Sequence, residues 1–100
     1  MNILKKIDTQ VKKYNVLIYM KGTPKVPRCG FSAQTIKILL LYKKKIHYVD
    51  VLENEDIRIF LPKYSNWPTF PQVFINGELI GGCDIITEMH KNKNLKNLLM

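Results

Sequence analysis

Acidic side chains are scarce in this chain: eight Asp and Glu stand against sixteen Lys and Arg in 100 residues, a formal charge of +8. Arginine is scarcer still, with Arg28 and Arg58 the only two. The commonest specific base contact uses a bidentate arginine, and neither zinc-finger spacing nor an RNA-recognition signature is present. No specific nucleic-acid partner is therefore expected, and the lysine excess reads as a solvated surface that helps attract small anions. Long apolar runs are missing too. Nothing approaches the ~18 apolar residues of a membrane span, and the start, Met1-Asn-Ile-Leu-Lys-Lys-Ile-Asp8, lacks the apolar core and cleavage site of a signal peptide. Two cysteines, Cys29 and Cys83, are too few for a disulfide scaffold and point to reactive or metal-binding thiols in an intracellular reducing compartment. That compartment is the cytoplasm or, after removal of a presequence, an organelle such as the mitochondrion.

What is present reads as one domain over residues 1–100, its 46% hydrophobic content sufficient for one core. Ile3 to Tyr14 has helical apolar spacing with lysines on the other face. Val16 to Met20 is a continuous apolar run, as in a strand buried on both faces. A helix is predicted from Phe31 to Tyr42, with Lys43 to Lys45 complementing the dipole in its last turn. Ile46 to Val51 alternates as a strand, and Asn54 to Leu61 reads as a short helix ended by Pro62. Two apolar segments, Gln72 to Ile75 and Glu78 to Ile80, are joined by Asn76-Gly77, a strong hairpin signal. Asp84 reads as the N-cap of a last helix from about Ile85 to His90. Early strand–helix–strand alternation implies a parallel pair, the hairpin adds an antiparallel pair, and the sum is an α/β fold: a mixed four-stranded sheet flanked by helices.

In such a sheet the end of the first strand, the turn before the hairpin and the Gly81-Gly82 turn meet at one edge. Cys29 lies there, after the proline-stiffened loop from Lys21 to Arg28 and at a helix start, where unpaired N–H groups and the dipole favour a thiolate. Lys21 adds positive charge. Gly82, Cys83 and Asp84 open a helix whose free N–H groups suit a carboxylate, while the Asp84 carboxylate suits an ammonium. A ligand with a thiol, carboxylates and an amine matches this set, and glutathione is such a ligand. Ser32 stands where a Cys-x-x-Cys motif would place its second sulfur. It cannot resolve a mixed disulfide at Cys29, which excludes dithiol exchange within one motif.

The segments Lys21-Gly-Thr-Pro24, Pro27-Arg-Cys-Gly-Phe-Ser32, Trp67-Pro-Thr-Phe-Pro-Gln72 and Gly81-Gly-Cys-Asp84 resemble, in order and spacing over nearly the whole chain, the monothiol CGFS-type glutaredoxins. The resemblance implies a thioredoxin-like fold with cis Pro71, glutathione binding, and a [2Fe–2S] cluster shared by two protomers for cluster delivery and iron homeostasis. It implies Cys29 as active thiol and cluster ligand, Lys21 and Arg58 as glutathione contacts, and Thr69, Phe70 and Pro71 as the backbone that pairs with the glutathione cysteine. Cys83 and Asp84 would form the γ-glutamyl site, and Lys63 is a secondary candidate whose position varies among family members. A homodimer when cluster-bound, a BolA-type partner and apo iron–sulfur recipients are the implied partners. Multidomain members carry an additional thioredoxin-like domain, which this sequence does not contain. The alternative is an enzyme, a glutathione-dependent thiol–disulfide oxidoreductase acting through Cys29, with at most weak activity implied.

The plainer readings stand beside these. Cys83 reads as a packing residue with an exposed N–H rather than as a resolving thiol. Trp67 reads as packing and Phe31 as an exposed aromatic beside the sulfur. His47 and His90 lack metal-ligand spacing and are given no role.

Overall fold

The computed structural model describes residues 2–99. Nine elements follow one another: α1 (Ile3–Lys13), β1 (Val16–Met20), α2 (Gly30–Leu40), β2 (His47–Asp50), α3 (Glu55–Ser65), β3 (Gln72–Ile75), β4 (Glu78–Gly81), α4 (Cys83–Lys91) and α5 (Asn94–Leu99). The four strands form one sheet in the order β2-β1-β3-β4. β1 pairs in parallel with β2, with Leu17 opposite His47, and antiparallel with β3, with Leu17 opposite Phe74. β3 and β4 are antiparallel through the Asn76-Gly77 turn.

All five residues of β1 are buried because helices cover both of its faces. Alternation along the strand divides the core in two. Val16, Ile18 and Met20 pack with Val73 and Ile75 against Ile36 and Leu39 of α2, Ile86 of α4 and Leu95 of α5. Leu17 and Tyr19 pack with Phe74 against Ile7 and Val11 of α1 and Ile57 and Leu61 of α3. Each such fully buried aliphatic or aromatic side chain contributes roughly 1.5–3 kcal/mol of transfer free energy, so the covered β1–β3 pair is the most heavily buried part of the sheet.

Several predicted boundaries are corrected. The third helix does not stop at Pro62; it runs to Ser65 and ends on Asn66, whose φ is +55°. Proline forfeits one N–H donor there. The final turn is nevertheless held by burial of Leu61, by Tyr64 against Phe74 and by the Ser65 hydroxyl donating to the Leu61 carbonyl at 3.0 Å. Lys43 to Lys45 follow α2 rather than forming its last turn, with Lys43 at φ +57°. The last predicted helix starts earlier, at Cys83, with Gly82 as N-cap, so Asp84 sits inside the first turn instead of capping it. α5 was not foreseen from the sequence. Six residues are too short to register as a periodic pattern, and Leu95 and Leu99 hold the helix in place by burial.

Candidate functional site

The loop from Lys21 to Arg28 is a small hairpin. The Arg28 N–H donates to the Lys21 carbonyl at 2.9 Å, Gly22 bridges Pro27, and Thr23 and Val26 exchange N–H···O bonds at 3.1 Å each. Gly22 sits at φ +90°, and a Cβ there would lie 2.5 Å from the Val26 carbonyl oxygen and 2.7 Å from the Arg28 nitrogen. Only glycine fits both the conformation and the space. The hairpin base is tied to the sheet by Asp50, at the end of β2, whose carboxylate accepts from the Gly22 N–H at 2.9 Å.

Cys29 follows as the N-cap residue of α2, in extended conformation. Its thiol is partly exposed and held below the ordinary thiol value. The backbone N–H of Ser32 is the largest cause; the Phe31 N–H, the Lys21 charge and the Ser32 hydroxyl act in the same direction, and partial desolvation opposes them. Ser32 is fully buried, and its Oγ accepts from the Lys21 N–H at 3.1 Å. The residue in place of a second thiol thus joins the end of β1 to the start of α2 beside Cys29.

A second wall comes from the turn before β3. The Phe70–Pro71 peptide bond is cis, as the resemblance implies. Gln72 is fully buried, and its Nε2 donates to the carbonyls of Trp67 and Thr69 at 2.9 and 3.2 Å, which shapes the turn from below. The third wall is the start of α4. A Cβ on Gly82 would lie 3.1 Å from the Pro71 carbonyl and 3.4 Å from Trp67 Nε1, so a side chain there would press on both walls.

The three walls enclose a cleft of about 640 Å³, within the ~300–1,000 Å³ of small-molecule sites. It brings together Lys21, Cys29, Thr69, Phe70, Pro71, Cys83 and Asp84, seven of the eight residues that sequence reasoning selected. Arg58 does not line it; this residue is exposed on α3. Lys63 is not part of the lining either and lies over the Phe60 ring at 5.1 Å. Phe31 and Ile85 are exposed apolar residues of the same lining, Phe31 at 61%. Trp67, half-buried, lines the cleft, and its Nε1 is buried with no hydrogen-bond partner among the described residues. Cys83 is 8% exposed, with Sγ 3.9 Å from the Thr87 hydroxyl. Neither histidine approaches the cleft lining: His47 stacks on Tyr14 and His90 meets the Tyr42 hydroxyl. Sequence reasoning missed the supporting roles of Ser32, Asp50 and Gln72. The one available signal was a glutamine opening an otherwise apolar strand.

Residues 16–80 match the family described as Glutaredoxin. The chain belongs to the glutaredoxin family. Among its relatives is Glutaredoxin 4 of Buchnera aphidicola from Schizaphis graminum, 58% identical over 99 residues, covering 99% of this chain and 92% of the relative. Glutaredoxin 4 of Escherichia coli K12 is 51% identical over 96 residues, covering 96% and 84%. Its fold matches the solution structure of a monomeric truncated mutant of Trypanosoma brucei 1-C-Grx1 with a TM-score of 0.88 at 35% identity, covering 99% of this chain and 90% of that one. This glutaredoxin therefore has the thioredoxin-like fold and carries the monothiol Cys-Gly-Phe-Ser form of the motif. No helix among its described residues is long and apolar enough to cross a membrane.

Proposed function

We propose that residues 1–100 form one glutaredoxin domain that binds glutathione in the Cys29 cleft and shares a [2Fe–2S] cluster with a second copy, for transfer to recipient proteins. The observation that carries the reading is a single activated thiol, Cys29, at the mouth of a cleft with a cation on one side and a helix start on the other. Lys21 would meet a glutathione carboxylate. The backbone of Thr69, Phe70 and Pro71 presents an edge for the central cysteine. The unpaired N–H groups at Cys83 and Asp84 suit the γ-glutamyl carboxylate, and the Asp84 side chain suits its ammonium. Arg58 remains in this reading as the exposed partner of the glycine carboxylate, approaching from outside the cleft lining.

A [2Fe–2S] centre takes four thiolates. One chain offers Cys29 as its open thiol, with Cys83 almost entirely covered. Two Cys29 thiolates and two glutathione thiolates complete the set when two protomers face each other, and the exposed Phe31 and Ile85 give that interface apolar contacts. Half of the ligands are then exchangeable, which suits delivery. A BolA-type protein in place of the second protomer fits the same donor logic. Anaerobic reconstitution with iron, sulfide and glutathione should give a coloured dimer, and Cys29→Ser should give neither colour nor dimer. Cluster assembly by the serine variant would sink the ligand assignment.

The lowered thiol value also favours a second reading, glutathione-dependent thiol–disulfide exchange. The Cys29 thiolate attacks a glutathionylated substrate, the substrate thiolate leaves, and a second glutathione thiolate then attacks the Cys29 mixed disulfide to give oxidised glutathione. Turnover of a small glutathionylated substrate measures this directly.

A further inference from the structure

At the end of the sheet away from Cys29 lies a second cavity of about 380 Å³. The five residues of β1, at ~3.3 Å each, separate it from the Cys29 cleft. We infer that this cavity binds an organic anion carried on a short apolar body, a carboxylic acid or a phosphate monoester. Lys44 and Lys45 line it together. Both are exposed, and among the described residues neither has a carboxylate within ion-pair distance; the ion pairs there are Lys6–Asp56 and Lys12–Asp8. Among the described residues, no Asp or Glu belongs to the lining. Glu78, opposite Ile75 in the hairpin ladder, is exposed and outside it.

Asn15 and Asn76 complete the polar rim. Their backbones are locked together by the Asn76 N–H donating to the Asn15 carbonyl at 2.8 Å, and Asn76 is held at φ +52° by the tight turn. Neither side-chain amide is engaged in a hydrogen bond among the described residues, so both remain available to an acceptor. The floor is aliphatic: Val16 from β1, Ile75 from β3, and Leu98 and Leu99 from α5. Exposed cationic and amide donors beside buried aliphatic side chains match an amphipathic anion. A neutral alcohol would leave the lysines unused, and a bare inorganic ion would leave the floor wet. The volume, near the lower end of small-molecule sites, limits the body to a short chain or single ring.

The site is tested by titrating isotope-labelled full-length protein with octanoate, octyl phosphate, octanol and inorganic phosphate, while following backbone amide shifts. Octanoate or octyl phosphate should give saturable shifts at Asn15, Lys45, Asn76 and Leu98. The tighter of the two identifies the headgroup. Octanol and inorganic phosphate should each bind about tenfold more weakly, as should both amphiphiles to the Lys44→Gln/Lys45→Gln variant. The same variant should assemble the Cys29-dependent dimer as the wild type does. Absence of saturable shifts at the distal end, equal affinity in the doubly neutral variant, or shifts confined to the Cys29 cleft would each overturn the assignment.

Discussion

Ser32 is the residue whose chemistry most exceeds its apparent role. It replaces a sulfur, yet its buried hydroxyl accepts from the Lys21 N–H and also stabilises the Cys29 thiolate. Ser32→Ala leaves a half-buried N–H without a partner, which costs about 1–3 kcal/mol. Urea unfolding should show that loss, and thiolate absorbance should show the Cys29 titration moving up toward the ordinary value. An unchanged titration would deny the hydroxyl its part. The same group sets a pH dependence. Cys29 has a folded value below the ordinary 9.0. Between the two values the unfolded chain binds more protons, so stability rises with pH there and falls as pH drops through the folded value. That slope should flatten in Ser32→Ala, whereas a slope of opposite sign would contradict the lowered thiol.

The elements are fastened to one another by a few polar contacts across the packed layers. α1 and α3 cover the same face of the sheet, and the Tyr64 hydroxyl donates to Asp8 at 2.7 Å, with Lys12 on the same carboxylate at 2.9 Å. Burial and the Asp8 charge push the Tyr64 phenol up to about 12 from 10.0. A raised acid contributes stability that is complete below pH 10 and lost as pH climbs toward 12. Tyr64→Phe should therefore lower the melting temperature at neutral pH and show a shallower loss of stability in that alkaline window, where the Tyr19 phenol, raised by burial, still contributes; an identical alkaline limb in the variant would rule the contact out as a cause. The Lys21–Arg28 hairpin is the second fastening. Gly22→Ala forces a side chain into a positive-φ position against backbone atoms 2.5 and 2.7 Å away. A strained position of this kind costs roughly 1–3 kcal/mol. Glutathione affinity should fall with it, because the hairpin sets the position of Lys21, and calorimetry would detect the change. Unaltered stability and affinity would mean that the hairpin is not the support proposed for the cleft.

At the scale of the whole molecule, charge is the organising quantity. The structure extends 38 × 25 × 22 Å, whereas the Debye length is about 8 Å at physiological ionic strength and about 30 Å at 0.01 M. At low salt the entire +8 charge draws anions toward the protein. At physiological salt only groups beside the cleft, such as Lys21 and its hairpin neighbours Lys25 and Arg28, act on a ligand there. Glutathione association should consequently slow as salt is added and level off near physiological ionic strength, in stopped-flow measurements. A rate independent of salt throughout would show that long-range charge does not steer the ligand.

The unbroken run from Val16 to Met20 determined a strand covered on both faces, because burial on two sides removes alternation. Asn76-Gly77 determined the hairpin, because both positions take the positive φ that the turn demands. Cys29 at one helix start and Gly82–Asp84 at another were legible from local backbone chemistry, and the Trp67–Pro71 segment from its resemblance to the monothiol glutaredoxins; the sheet topology is what brings the three segments to one cleft. Tertiary structure decided what depends on contacts between distant residues. It extended α3 past Pro62 through the packing of Leu61 and Tyr64, and stabilised α5 through Leu95 and Leu99. It kept Arg58 out of the cleft lining and buried Ser32 and Gln72 beneath it. Periodicity and turn chemistry act over a few residues and can be read along the chain. Burial and hydrogen-bond partnership are properties of the packed layers, and no single segment carries them.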